Sequence, residues 1–144
     1  MRRSENTIYL SETRPQMPSI SAVIITFNEQ EHIGTCLNSL QGIADEILVV
    51  DSFSTDSTEV VCSKFNVRFV KHDFEGYFEQ KNYALSLATF PIVLSLDGDE
   101  ALSDVLKQSL LLVKNDWKYD GYNFNRSHNY CGKWLRFSRW YPDR

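Results

Sequence analysis

Apolar and polar positions alternate along the chain in blocks of two kinds. Ser21 to Phe27 is a short β-branched run (Ala22-Val23-Ile24-Ile25-Thr26), the pattern of a strand buried on both faces. Asn28 follows, with Glu31 three residues on, a spacing like the start of a capping box. Ile33, Cys36, Leu37 and Leu40 then recur at helical spacing. Ile47-Leu48-Val49-Val50 is a second buried strand, ending at Asp51, and Ser52 to Asp56 is a polar loop. Asp56 and Glu59 can cap a second helix that carries Val60, Val61 and Phe65. Val67–Val70 reads as a third strand, Phe78–Ala88 as a third helix and Ile92–Leu96 as a fourth strand. Ser103 caps a fourth helix with Val105, Leu106, Leu110 and Val113 on its inner side.

Strand and helix thus alternate four times. That pattern predicts an α/β fold, a doubly wound and mainly parallel sheet with helices on both faces. Ligands in such sheets bind at the C-terminal edge of the strands. Thr26 and Asn28, then Asp51, then Asp97 with Asp99, fall at that edge on three separate strands. After Gly121 the pattern changes, and Tyr122-Asn123-Phe124-Asn125 alternates like a half-exposed, antiparallel strand. Residues 1–18 are polar, contain Pro15 and Pro18 and lack periodicity, so they read as a flexible lead-in to a domain at 19–144.

Asp97-Gly98-Asp99 is the most informative stretch. In extended backbone two carboxylates two residues apart point the same way, and Gly98 between them lets a ligand approach closely. Converging carboxylates repel unless a cation joins them. Mg²⁺ is usually held by one or two carboxylates, with substrate phosphates and water completing its shell. A metal–diphosphate complex is therefore the reading of this site, against the alternative of a carboxylate-rich surface turn.

Composition narrows the classes. At 144 residues the chain has one domain's length, and 42% hydrophobic and 24% charged residues are ordinary for a globular protein. A net charge of −4 argues against a general nucleic-acid binder. No apolar run is long enough to span a bilayer, and Arg2 and Arg3 precede no apolar segment of a secretory signal. Cys36, Cys62 and Cys131 are far apart, which suits free thiols in a reducing compartment. From Arg126 to Arg144 there are five basic residues and one acidic residue, Asp143, interleaved with Tyr130, Trp134, Phe137, Trp140 and Tyr141. His32, His72 and His128 match no motif and are not read as ligands.

Two common nucleotide motifs are missing. No G-x-G-x-x-G follows the first strand, and no G-x-x-x-x-G-K-[ST] occurs. An aspartyl phosphatase needs its D-x-D on the first strand, whereas here it follows the fourth. The ordered set Ala22-Val23-Ile24-Ile25-Thr26-Phe27-Asn28-Glu29, Asp45-Glu46-Ile47-Leu48-Val49-Val50-Asp51-Ser52, Ser54-Thr55-Asp56, Gln80-Lys81-Asn82-Tyr83-Ala84 and Leu94-Ser95-Leu96-Asp97-Gly98-Asp99-Glu100 resembles the family 2 glycosyltransferases of the GT-A fold. The resemblance covers about residues 20–144. Within that family it is most similar to enzymes that extend the lipopolysaccharide core or related surface glycans, and Trp140-Tyr141-Pro142-Asp143 resembles an acceptor-side motif of that branch.

The resemblance implies roles. Asp51 would accept a hydrogen bond from the base of a nucleoside diphosphate sugar, typically uracil. Thr26, Phe27, Asn28 and Glu29 would line base and ribose, with core packing the alternative for Phe27. Asp97 would contact ribose or metal, and Asp99 would ligate Mg²⁺ or Mn²⁺. Lys81 would neutralise diphosphate or hold a site carboxylate, with a solvated helix face as its alternative. Transfer would invert the anomeric centre, with a carboxylate base downstream. No residue clearly matches that base; Asp143, the last carboxylate, is the remaining candidate. Trp140 and Tyr141 would lie on the acceptor side. The acceptor would be a glycan or lipid-linked glycan at the cytoplasmic membrane face, where the basic aromatic segment suits anionic headgroups. Alternatively, those aromatics pack against a further C-terminal half. Family members run on past the acceptor motif, so the resemblance implies a truncated product that binds donor and lacks turnover. Two other readings remain: a non-catalytic nucleotide-sugar-binding remnant, and a metal-dependent phosphatase or nucleotidyltransferase.

Overall fold

The computed structural model of the chain describes residues 17–130 and 133–135. Its elements run β1 (Ile20–Thr26), α1 (Ile33–Ser39), β2 (Glu46–Asp51), α2 (Thr58–Cys62), β3 (Arg68–Lys71), α3 (Tyr77–Ser86), β4 (Ile92–Asp97), α4 (Asp104–Asn115), β5 (His128–Tyr130) and β6 (Lys133–Leu135). The four predicted strands form one sheet in the order β3-β2-β1-β4, with every pairing parallel. β1 lies inside the sheet and is buried along its whole length, which is why it reads as an unbroken β-branched run.

The alternation of side chains across β1 and β2 divides the core in two. Ala22, Ile24, Val49 and Leu96 face Ile33, Leu37 and Leu40 of and after α1, with Leu106 and Leu110 of α4 packed on the same layer. Val23, Ile25, Leu48 and Val50 face Ala84, Tyr83 and Leu87 on the α3 side. Helices therefore cover both faces, as the alternation predicts. Burying each of these large aliphatic side chains stabilises by about 1.5–3 kcal/mol.

Several local expectations are corrected. No capping box forms at Asn28 and Glu31: α1 begins at Ile33, and its N-cap, His32, makes no side-chain cap bond. The Asn28 side chain accepts instead from the Thr55 backbone N–H at 2.8 Å, so a tertiary contact wins over the local cap. Asp56 does not cap α2 in the usual sense; it accepts from the Thr58 and Gln30 N–H groups, while Glu59 pairs with Lys71. Val60 and Val105 point outward, at 60% and 75% exposed, because each sits on the solvent side of its helix. Ser103 does cap α4, accepting from Leu106 N at 3.2 Å. Tyr122–Asn125 forms no strand. Phe124 packs against the core, and the antiparallel pairing begins later, between β5 and β6. Most of the lead-in, as well as Cys131, Trp140, Tyr141 and Asp143, lies outside the described residues. Among the described residues no helix is long and apolar enough to cross a membrane.

Candidate functional site

β1, β2 and β4 end side by side, and a cavity of about 530 Å³ opens over their C-terminal ends. That volume suits a small-molecule ligand. Thr26, Phe27 and Glu29 line it from the end of β1, Ser52 from β2, and Asp97, Gly98 and Asp99 from β4. Phe27 is 55% exposed, so it offers a face to the cavity and is not a core residue.

The carboxylate pair does not sit in extended backbone. β4 ends at Asp97, and residues 98–99 turn, closed by the Glu100 N–H donating to Asp97 O at 3.0 Å. The Glu100 carboxylate accepts in return from Asp97 N at 2.9 Å and is paired with Arg126 at 3.2 Å. Asp97 and Asp99 therefore border one cavity because of a stapled turn, not because of strand alternation. Gly98 is buried and its N–H donates to Ile25 O at 3.0 Å. A Cβ there would meet Thr26 Oγ1 at 2.7 Å, so only glycine lets the turn lie this close to β1.

Lys81 of α3 reaches Asp97, with Nζ 3.0 Å from Oδ1. The contact is an ion pair without hydrogen-bond alignment, and among the described residues Oδ1 has no other partner. Of its two expected uses, Lys81 here holds the carboxylate. Thr26 Oγ1 is likewise sealed from solvent and has no partner among the described residues.

Asn28 and Asp51 sit one layer back. Asp51 is fully buried, and its carboxylate accepts from Ser54 N at 2.8 Å and Ser54 Oγ at 2.5 Å. Asn28 donates its N–H to Ser54 Oγ at 2.8 Å. Phe74, Tyr77 and Gln80 complete the wall; neither Phe74 nor Tyr77 belongs to a sequence motif, and Gln80 and Ser52 fall within motifs that give them no role. Their signal is faint: Phe74 and Tyr77 are exposed aromatics with no hydrophobic stripe to join, packed edge to face at 5.1 Å.

A divalent cation would find two carboxylates here, and among the described residues no cluster of three or more His, Cys, Asp or Glu could hold one alone. Two carboxylates on a glycine-tight turn, one with an oxygen lacking an aligned donor, fit a cation that draws its other ligands from a bound phosphate and water.

A parallel sheet of this order, with helices on both faces and a carboxylate turn bordering its edge cavity, defines the GT-A class of α/β domain. The chain belongs to glycosyl transferase family 2, whose family model matches residues 21–141. It is 39% identical over 103 residues to a protein of Rickettsia conorii named an uncharacterized glycosyltransferase, covering 72% of this chain and 36% of that one. It is 37% identical to the lipopolysaccharide core biosynthesis glycosyltransferase LpsC of Rhizobium meliloti, covering 71% of this chain and 40% of LpsC. The chain thus spans well under half the length of these relatives. Among solved structures, S. aureus TarS in complex with UDP-GlcNAc superposes with a TM-score of 0.54 at 28% identity, over 66% of this chain and 31% of that one. The glucosyl-3-phosphoglycerate synthase of Mycobacterium tuberculosis, in complex with Mn²⁺, UDP and glucosyl-3-phosphoglycerate, gives 0.52 at 27% identity, over 70% and 42%.

Proposed function

We propose that this chain carries the donor site of an inverting glycosyltransferase. It would take a nucleoside diphosphate sugar, a UDP-sugar by preference, and serve a glycan or lipid-linked acceptor of lipopolysaccharide core or related surface-glycan synthesis at the cytoplasmic face of the membrane. The observation that carries the proposal is the cavity over the strand ends, bordered on one side by Asp97-Gly98-Asp99 and on the other by Thr26, Phe27 and Ser52. The complexes of the two solved relatives support the donor class, and the likeness to LpsC supports the acceptor class.

Each residue has a task that its geometry allows. Phe27 offers its exposed face to the base, and Glu29, tied to His32 at 2.9 Å, borders the ribose end. Asp51 holds the loop that carries Ser52, and its carboxylate meets a base N–H only when the Ser54 hydroxyl turns away. Asp97 and Asp99 would hold Mg²⁺ or Mn²⁺. Such an ion, when bound, offsets the charge that builds on the leaving diphosphate. Lys81, released from Asp97, would place its ammonium beside the phosphates. The acceptor hydroxyl needs a base, for which Asp143 is the candidate, and Trp140 and Tyr141 would sit on the acceptor side.

Calorimetric titration with uridine diphosphate plus Mn²⁺, with and without chelator, tests this. Binding is expected only with the metal. Asp99→Asn should weaken the metal-dependent binding by more than Asp104→Asn, at a side chain 93% exposed on α4. Equal affinity with and without chelator would remove the metal from the site.

A further inference from the structure

Gln80 is fully buried, yet it is a polar residue in the middle of a helix that packs on the sheet. Its amide bridges two strand ends. Oε1 lies 2.9 Å from His72 Nδ1, just after β3. Nε2 donates to Ser52 Oγ at 3.1 Å, just after β2, and is 3.5 Å from the His72 carbonyl oxygen. That carbonyl decides which way the amide is turned. An amide oxygen facing it would be repelled, so the NH₂ end faces the carbonyl and Ser52, and the oxygen faces the ring. His72 then carries its proton on Nδ1, with the ring stacked on Tyr83 at 3.7 Å between centroids. The His72 N–H, donating to Asp51 O at 3.0 Å, fixes this strand end in turn.

This has a consequence for Ser52. A hydroxyl has one hydrogen to give. Because Ser52 Oγ accepts from Gln80, that hydrogen is directed elsewhere, and among the described residues no group takes it. Ser52 borders the cavity. We infer that His72 and Gln80 are positioning residues that set the Ser52 hydroxyl as a hydrogen-bond donor into the donor cavity, so that the site selects a nucleoside presenting an acceptor oxygen at that point. The inference rests on the nucleotide-sugar reading of the cavity and adds to it a polarity: donor from the protein, acceptor on the ligand.

Gln80→Glu separates this from a merely structural role. The side chain keeps its shape and its contact with His72, but a carboxylate only accepts. Ser52 must then donate to it, and the cavity loses its donor. Titration with uridine diphosphate and Mn²⁺ should show Gln80→Glu and Ser52→Ala each weakened by roughly fivefold to tenfold, the loss of one neutral hydrogen bond. The double variant should be no weaker than Ser52→Ala alone, since Gln80 acts through Ser52. Circular dichroism and thermal unfolding establish that Gln80→Glu is folded. If it is not, Ser52→Ala, at a half-buried loop position and checked for folding in the same way, decides alone. A parent that binds while Ser52→Ala, or folded Gln80→Glu, binds equally well overturns this inference and leaves the donor-site reading standing. Losses that add in the double variant overturn the relay from Gln80 to Ser52. A parent that binds no nucleotide overturns both readings.

Discussion

Gly98→Ala is the substitution whose cost follows most directly from the geometry. The added methyl would sit 2.7 Å from Thr26 Oγ1, 3.1 Å from Thr26 Cβ and 3.3 Å from Glu29 Cγ. Rotating the Thr26 hydroxyl away does not solve the clash, because its Cβ is fixed by a strand paired on both sides. Gly98 cannot retreat either without losing its bond to Ile25 O. Overpacking of this kind costs about 1–3 kcal/mol. At the middle of that range the ratio of folded to unfolded chain falls roughly thirtyfold. Relief must come from the turn, which carries both carboxylates. A metal site tolerates displacements of only about 0.2 Å, so metal-dependent nucleotide affinity should fall by an order of magnitude or more. Urea unfolding and calorimetry on parent, Gly98→Ala and Gly121→Ala make the comparison; at Gly121 a Cβ meets nothing within 4 Å, so that variant should match the parent in both assays. If Gly98→Ala stays within about 0.5 kcal/mol of the parent, the usual spread of neutral surface changes, and binds equally well, the close approach has no energetic meaning.

Four further outcomes are expected. Thr26→Val replaces a sealed hydroxyl that has no partner among the described residues, so it should raise stability by about 1 kcal/mol in urea unfolding; a loss of stability would mean the hydroxyl is satisfied. Asp51→Ala strands the Ser54 N–H and should cost about 1–3 kcal/mol, so its effect on nucleotide affinity must be read against that loss; an unchanged urea midpoint would refute the role given to Asp51 in holding the loop. Burial, with Glu100, Asp99 and Asp97 nearby, pushes the Cys36 thiol up to about 12, and burial with Asp51 and Glu59 pushes Cys62 to about 11; at pH 8 both should resist iodoacetamide in the folded chain, and peptide mapping that finds Cys36 labelled as fast as a free thiol would contradict this. Burial alone would raise the Asp45 carboxyl, but the Lys114 ammonium at 2.6 Å and the Ile20 N–H outweigh it and hold it below 3.8. A lowered folded value contributes stability above the unfolded value that is lost as pH falls through the folded one, so Asp45→Asn should flatten the stability profile below about pH 4 and leave it as steep as before if the pair is inert.

The sheet was legible because its signals are local. β1 and β2 are buried on both faces, so their sequences are unbroken apolar runs, and the intervening helices repeat apolar residues at the right spacing. Asp97 and Asp99 were legible as chemistry out of place, charge at the end of an apolar strand, whereas Lys81 was singled out only by the resemblance of the Gln80–Ala84 stretch to the family. What escaped depends on contacts between segments distant in sequence. Asn28 gave its side chain to a loop 27 residues away, which no local rule for helix starts contains. Gln80 stands in the sequence only as the first residue of the Gln80–Ala84 motif, without a role, and its burial appears only once the ends of β2 and β3 are placed beneath it. The carboxylate turn was placed correctly for a partly wrong reason, since the staple from Glu100 and the contact with Thr26 replaced simple alternation.

The loops after β1 and β2 act as one body, and this explains why residues that never face the cavity matter to it. Asn28 and Phe53 both hold positive φ, at 55° and 59°, a conformation uncommon for residues other than glycine. Backbone in sparsely populated regions costs on the order of 1–3 kcal/mol per residue and persists only when the surroundings fix it. Here the surroundings are the two loops themselves. Asn28 N–H donates to Ser54 Oγ, Thr55 N–H to Asn28 Oδ1, Glu29 N–H to Thr58 Oγ1, Gln30 N–H to Asp56 Oδ2 and Ser57 N–H to Gln30 Oε1. Each loop supplies the acceptors that the other needs, and Asp51 ties the second loop to its own strand. Thr26, Phe27 and Ser52 thereby reach the cavity in a register set before any ligand arrives, which lowers the ordering cost of binding. The polar side chains of Asn28, Gln30, Ser54, Asp56 and Thr58 supply the acceptors of this lacing, so the two motifs on successive strands make one structural unit rather than two separate contact sets.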